Sequence, residues 1–233
     1  MRIYGAARRG AGPAAGKRGG AGGRRLPPGA ALLLLALIAG GCVGGGEIPA
    51  TRFYVIDYSL APRKNSAPLL PVSVGVDNFR SDALYRSERM VFRKAPYRVD
   101  FYPYERWGAR PDEIVTDRMI DHLLALNRFR EVVRAGGGTR VGYLVRGRVK
   151  RFEEVDSPGG YAAVVQIEIS VVHRRSGRVI LQRRLKGEKR AKTKPPQGYV
   201  NAMAENLRGL LGKAAEEIAE AVSRHLRRRA PRP

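Results

Sequence analysis

The chain has 233 residues, with 44 Lys and Arg against 21 Asp and Glu, a formal net charge of +23 and a single cysteine. One cysteine excludes an intramolecular disulfide and any cluster of thiolate metal ligands, so the folded state must rest on packing. A balance this basic ordinarily raises nucleic acid as a partner. The N-terminus, however, carries an export leader, which turns the charge toward anionic lipid headgroups, an acidic partner protein or an acidic envelope polymer, with a merely solvated cationic surface as the plainer alternative.

Residues 1–25 combine Gly, Ala and Arg without apolar periodicity. Arg24 and Arg25 then flank an apolar run over residues 30–41 that ends at Cys42. A bilayer-spanning helix needs about 20 apolar residues, so this run is too short to span and has the length of a signal-peptide core. The stretch Ile38-Ala39-Gly40-Gly41-Cys42 resembles a bacterial lipoprotein signal, in which the thiol takes a diacylglycerol and becomes the first residue of the mature protein. Such a chain is anchored to a membrane without crossing it. An ordinary secretory signal with an incidental cysteine is the alternative. Removing residues 1–41 removes seven basic and no acidic residues, so the mature chain keeps 44 − 7 = 37 basic residues against 21 acidic, a charge of +16. What remains suits one domain of about 190 residues. Val43 and the glycines at 44–46 form a short tether that allows a stand-off of about one to a few nanometres.

Residues 53–58, Phe-Tyr-Val-Ile-Asp-Tyr, are aromatic and β-branched and predict a first strand. Pro62, Pro68 and Pro71 punctuate the link to a second, where Val72, Val74 and Val76 alternate with smaller or polar residues. Residues 88–94 and 97–102, broken by Ala95-Pro96, predict a hairpin or bent edge strand. Pro111-Asp112-Glu113 opens a helix, with proline in the first turn and acids at the positive end of the dipole. Ile114, Val115, Met119, Leu123 and Leu126 recur on its apolar face as far as Asn127. After a short element at 129–134 come three strands, separated by Ser157-Pro158-Gly159-Gly160 and Arg175-Ser176-Gly177. Their turn chemistry makes an antiparallel meander the economical topology. A last helix over about 199–226 carries the stripe Met203, Leu207, Leu210, Leu211, Ala214, Ile218 and Val222. Its polar face mixes acids and bases, which favours packing on the sheet over lying on a membrane. A basic tail at 227–233 completes the chain.

The meander carries the main candidate surface. On its apolar parity lie Tyr143, Val145, Val149, Ile167 and Ile169. On the other lie Arg146, Arg148 and Lys150 of one strand and Arg184 and Lys186 of another, with Gln166, Glu168 and Ser170 between. Pairing in chain order would give one face covered by helices and one polar, predominantly basic face. A second candidate is the segment Tyr102, Tyr104, Arg106 and Trp107, whose residues have the amphipathic character of interface anchors; a local core role for Trp107 competes with it. His122, His173 and His225 stand about fifty residues apart without ligand spacing, so no metal site is expected. Glu153, Glu154 and Asp156 precede a turn and read as solvated acids. No phosphate-binding loop, nucleophile elbow or zinc-protease motif is present, and a non-enzyme without cofactors is expected.

With these elements placed, the layout resembles the ABC-type transport auxiliary lipoproteins. The likeness lies in the early strand at 52–57, the segments Arg89-Met90-Val91-Phe92-Arg93 and Tyr102-Pro103-Tyr104-Glu105-Arg106-Trp107, the strand end Val149-Lys150-Arg151-Phe152-Glu153, the Ser176-Gly177 turn and the Tyr199-Val200 helix start. It runs over about residues 52–225. The resemblance implies an α+β domain at 52–226, its mainly antiparallel sheet covered on one face by two main helices. It further implies a periplasm-facing lipoprotein, held through Cys42 and residues 42–51, that works with an ABC permease and ATPase. Their partner subunit would carry a mammalian-cell-entry (MCE) domain, and the system would move lipids or other hydrophobic molecules across the envelope. Homo-oligomers are compatible with it, and Val43 after the cysteine favours the outer membrane. The proline-rich residues 60–71 and the strong positive charge depart from the family pattern. A structural or regulatory envelope lipoprotein that binds peptidoglycan or activates a cell-wall synthase is the alternative.

Overall fold

The computed structural model describes residues 49–62, 68–136, 138 and 140–229. Cys42, the apolar run before it and the glycine tether lie outside these, as do residues 230–233 of the expected tail. The fold is organised by one long strand, β7 (Tyr143–Ser157). Along one edge it pairs antiparallel with β8 (Gly160–His173), from Tyr143↔His173 to Ser157↔Gly160, and β8 pairs in turn with β9 (Arg178–Arg190). This is the expected meander, closed by tight turns in which Gly160 and Gly177 take positive φ values of 101° and 68°.

The other edge of β7 is shared by three short strands, one after another and all parallel to it. β2 (Leu70–Val76) takes residues 143–145, β3 (Arg80–Ser81) takes 148–149, and β4 (Arg89–Ala95) takes 153–155. Beyond β2 lies β6 (Phe129–Arg134), again parallel. Beyond β4 lie β5 (Arg98–Trp107), antiparallel, and β1 (Arg52–Tyr54), parallel to β5. The α+β expectation holds, with a sheet that is mixed: its long ladders are antiparallel and its short ones parallel. Period-2 patterning says which face a residue occupies but not the direction of its partner strand.

The first strand is shorter than its composition suggests. It leaves the sheet after Tyr54, and the chain crosses helix α1 (Pro111–Leu126) instead. Ile56 is buried in that crossing, Asp57 pairs with Arg118 at 3.3 Å, and Tyr58 Oη lies 3.1 Å from His122 Nε2. Helix α1 starts at its proline, where Glu113 Oε2 accepts the Arg110 backbone N–H at 3.1 Å. It ends on Asn127 in the left-handed region, φ 51°.

Helix α2 (Gln197–Arg229) runs on through residues 227–229 and packs on β8, β9 and α1. Its close approach to β9 depends on Gly187, where a side chain would collide with Asn206; that amide instead donates to the Ala163 carbonyl at 3.0 Å. The core lies between these helices and the inner sheet face, with Val145, Val149, Phe152, Ile167, Met203, Leu207 and Leu211 all closed to solvent.

Candidate functional site

The register of the meander lines up the predicted basic residues. Arg146 faces Ser170, which faces Gln182; Arg148 faces Glu168, which faces Arg184; Arg151 faces Gln166, which faces Lys186. Between Val149 and Arg151 the ladder slips by one residue, and Lys150 is the extra one. A bulge of this kind places two consecutive side chains opposite one. A broad groove of about 820 Å³ lies on this face, lined by Arg80, Arg146, Arg148, Arg183 and Arg184 against the carboxylates of Asp77 and Glu168. The arginines come from β3, β7 and β9, so the surface exists only once those strands have assembled.

The groove's charges are held in pairs around its rim. Arg184 clamps Glu168 with Nε at 2.9 Å and Nη2 at 2.6 Å. Arg146 pairs with Asp77 at 3.6 Å. Asp82 receives Lys150 at 2.6 Å and Arg148 at 3.2 Å, and the Lys150 hydrogen bond, with help from Arg148, holds its carboxyl below the ordinary range. Arg80 and Lys186 make no ion pair among the described residues.

The 102–107 segment divides by strand parity. Trp107 is 0% exposed and stacks edge-on against Phe152, ring centroids 5.2 Å apart, with Tyr199 of α2 at 5.5 Å. Its indole is core and has no surface to offer a partner. Tyr102 and Tyr104 are half-buried, and Arg106 folds back to donate to the Tyr102 and Glu105 carbonyls at 2.8 and 2.9 Å.

Two acids read as solvated are buried. Glu153 is 0% exposed and is gripped by Arg93 (Nε 2.9 Å, Nη2 3.0 Å), Arg151 (Nε 2.7 Å) and the Tyr85 hydroxyl (2.7 Å). Burial pushes its carboxyl up, but the hydrogen bonds from Arg93, Tyr85 and Arg151 outweigh it and hold the group below the ordinary range. Glu154 is the reverse. Burial raises it to about 7, the nearby Asp156 charge adds to the rise, and the single Tyr102 hydroxyl 3.0 Å from both oxygens cannot offset this.

The fold also brings together two histidines that sequence spacing kept apart. His173 ends β8 and His225 lies near the end of α2, with ring centroids 4.8 Å apart. His225 Nδ1 lies 2.9 Å from the Tyr143 hydroxyl, and His173 contacts Ser176 Oγ at 2.8 Å and Arg229 at 3.0 Å. Burial depresses both imidazoles, and neighbouring arginines depress them further. Neither Glu168 nor Asp156 contacts His173. Among the described residues no group of three or more His, Cys, Asp or Glu is placed to hold a metal ion.

A family model described as the ABC-type transport auxiliary lipoprotein component matches residues 54–219. The chain belongs to this family. Among solved structures, the fold of this auxiliary lipoprotein is similar to that of a protein from Xanthomonas campestris, with a TM-score of 0.68 at 15% identity, covering 76% of this chain and 99% of the other. It is also similar to the structure of an uncharacterized protein, with a TM-score of 0.58 at 15% identity, covering 73% of this chain and 99% of the other. At such identities the likeness speaks for the fold. No curated protein matches the chain.

In the auxiliary lipoprotein, the groove is polar and open, and apart from Arg80 its lining charges are already paired to neighbours. Individually such surface pairs contribute roughly 0–1 kcal/mol. Such pairs can exchange partners at small cost, and with Arg80, Arg146, Arg148 and Arg184 against Asp77 and Glu168 the face carries a net positive field, while Arg183 reaches across to Glu217 of α2. No helix among the described residues is long and apolar enough to cross a membrane.

Proposed function

We propose that the protein is a non-catalytic, lipid-anchored component of an ABC transport system, held through Cys42 at the outer membrane and facing the periplasm. Residues 42–51 tether the domain. Its partners are an ABC permease and ATPase and a subunit with an MCE-type lipid-binding domain, and the cargo is a lipid or another hydrophobic molecule moving across the cell envelope. The family match over residues 54–219 carries this reading. The basic groove supplies the docking face, with Arg146, Arg148, Lys150, Arg184 and Lys186 meeting an acidic surface of the partner. Tyr102, Tyr104 and Arg106, on the opposite arm of the sheet, are the remaining contact candidates.

The test is co-purification from solubilised membranes. Wild-type protein brings down permease, ATPase and MCE subunits. A triple charge reversal, Arg146→Glu, Arg148→Glu and Arg184→Glu, releases them while leaving the circular-dichroism spectrum unchanged; full retention of the partners would remove the groove from the interface. Cys42→Ala moves the protein from the membrane pellet to the soluble fraction with its melting temperature intact, and an unchanged pellet fraction would sink the anchor.

A further inference from the structure

Given the lipid anchor proposed at Cys42, we infer that the tip of the β4–β5 hairpin rests on the lipid surface that holds that anchor, so that one end of the sheet faces the membrane. Several turns and strand ends meet at this end. β4 runs parallel to β7 and pairs Arg93 with Val155, so the hairpin turn at Pro96-Tyr97 lies level with the β7–β8 turn after Ser157. β9 finishes beside them, with Arg190 opposite Ala162 and its guanidinium over Gly159. The chain then turns into α2 at the same end: the Ala191 N–H donates to the Tyr161 carbonyl at 2.8 Å, and the Lys194 carbonyl accepts from the Gly198 N–H at 3.1 Å.

Two independent observations select this end. The first is the direction of the chain. β1 is parallel to β5, with Arg52 opposite Glu105, and β5 runs away from the hairpin turn, so the chain enters β1 from the hairpin's side. Seven strand positions separate Glu105 from Arg98 at the turn, about 23 Å, whereas the ten residues from Cys42 to Arg52 extend to about 35 Å at most. The anchor can therefore sit just beyond the hairpin tip, and little slack is left to carry the domain far from the surface. Reaching the opposite end would require the chain to double back against the direction of β1. The second observation is Tyr97, which is 102% exposed at the tip. A ring with a polar hydroxyl, carried on a turn between Lys94 and Arg98, suits the membrane interface, with the ring at headgroup level and the cations against lipid phosphate. Lys94, Arg190 and Lys194 make no ion pair among the described residues, whereas Arg98 meets Asp100 at 3.3 Å and Lys192 shares Glu205 with Lys189. Asp156 and Glu188 also lie at this end, and the far end exposes Arg174, Arg175, Arg227 and Arg228. Charge alone thus does not choose the end; the entry of the chain and Tyr97 do. In this orientation Arg148 lies nine residues before the Ser157 end of β7, about 30 Å above the lipid, well beyond a Debye length of about 8 Å. The groove is thereby left to a protein partner instead of being taken up by headgroups.

Lipidation consumes the thiol of Cys42, the chain's only cysteine, so Ala95→Cys gives the mature lipidated protein one labelling site beside Tyr97, and Arg228→Cys gives one at the far end. Each is labelled with an environment-sensitive fluorophore, reconstituted in vesicles of phosphatidylcholine and phosphatidylglycerol, and isolated by flotation. Flotation reads the anchor, and quenching reads the face. Lipid carrying a headgroup spin label should quench the fluorophore at 95 and leave that at 228 bright, while iodide in the water should do the reverse. In the Ala95→Cys background, Lys94→Gln and Lys194→Gln should each lower the ratio of docked to free domain about five-fold, and Tyr97→Ser should lower it as well. Floated protein in which spin-labelled lipid quenches neither site, or both equally, would overturn the face, and so would quenching at 95 that ignores all three substitutions. A fluorophore at 95 shielded from iodide yet untouched by the lipid quencher would assign the tip to a protein contact and overturn it too. Protein that does not float would remove the anchor, and the face with it.

Discussion

Glu154→Gln should stabilise the protein, and by an amount that grows with pH. The carboxyl is 2% exposed and titrates near 7 because burial opposes its charge, against an ordinary value of 4.5. The folded chain therefore holds this proton more tightly than the unfolded chain. Between pH 4.5 and 7 the native state binds more protons, so stability contributed by this group falls as pH rises. The interval of 7 − 4.5 = 2.5 units corresponds to about 3 kcal/mol at pH 8, and to about 1 kcal/mol at pH 5, where the unfolded carboxyl is already mostly ionised. Glutamine keeps a carbonyl oxygen for the Tyr102 hydroxyl and carries no charge at any pH. The variant's advantage should thus widen by about 2 kcal/mol between pH 5 and pH 8. Urea unfolding followed by fluorescence suits the test, since Trp107 is the only tryptophan and packs on Phe152 two residues from the substitution. His173 and His225 titrate with the opposite sign: both are depressed, so their contribution is present above 6.5 and lost as pH falls below it. That contribution is common to both proteins and cancels in the difference. A difference that stays flat from pH 5 to pH 8, or a variant less stable than wild type at pH 8, would refute the reasoning.

Gly147→Ala should lower stability by about 1–3 kcal/mol, because the added methyl would enter the ring of buried Phe79; an unchanged melting temperature would mean the ring can move aside. Acidification to pH 5 should loosen the end of α2, where two protonated imidazoles would meet Arg175, Arg178, Arg228 and Arg229, and amide exchange near residue 225, corrected for intrinsic rate, should rise more there than at the helix start. Deleting Lys150 should leave a folded protein, whereas deleting Val149 should not, with far-ultraviolet circular dichroism as the readout. Equal loss of structure in both would contradict the bulge.

What the sequence made legible were features set within a few residues of themselves. Helix α1 is announced by Pro111, two acids and a three-four repeat, and the meander by alternation and by glycines at the turns. The basic rows on β7 and β9 were readable because alternation stays in phase up to Val149. What escaped depends on partners far along the chain. Glu153 and Glu154 look like turn acids until β4 and Tyr85 arrive with Arg93 and a hydroxyl, sixty or more residues away in sequence. The His173–His225 contact needs the end of β8 and the end of α2 to coincide, and nothing local encodes that.

One strand does the work of both faces, and its bulge is what reconciles them. Val149 opposite Ile167 points into the core, and so does Phe152 opposite Val165, yet three positions separate them where regular alternation allows only an even number. Were Lys150 paired in a regular ladder instead of absorbed in the bulge, Phe152 would turn outward and leave Trp107 and Tyr199 without their neighbour, while Arg151 and Glu153 would turn into the core. Absorbing Lys150 keeps both sets in place and puts two basic side chains next to each other on the outer face, where Lys150 and Arg148 share Asp82 and Arg151 reaches Glu153. The same local irregularity thus completes the aromatic core and concentrates charge beside the groove. A substitution that disturbed the bulge would reach the packed core and the charged outer face together, whereas substitutions at Arg184 or Arg146, on regular stretches of ladder, reach the surface alone.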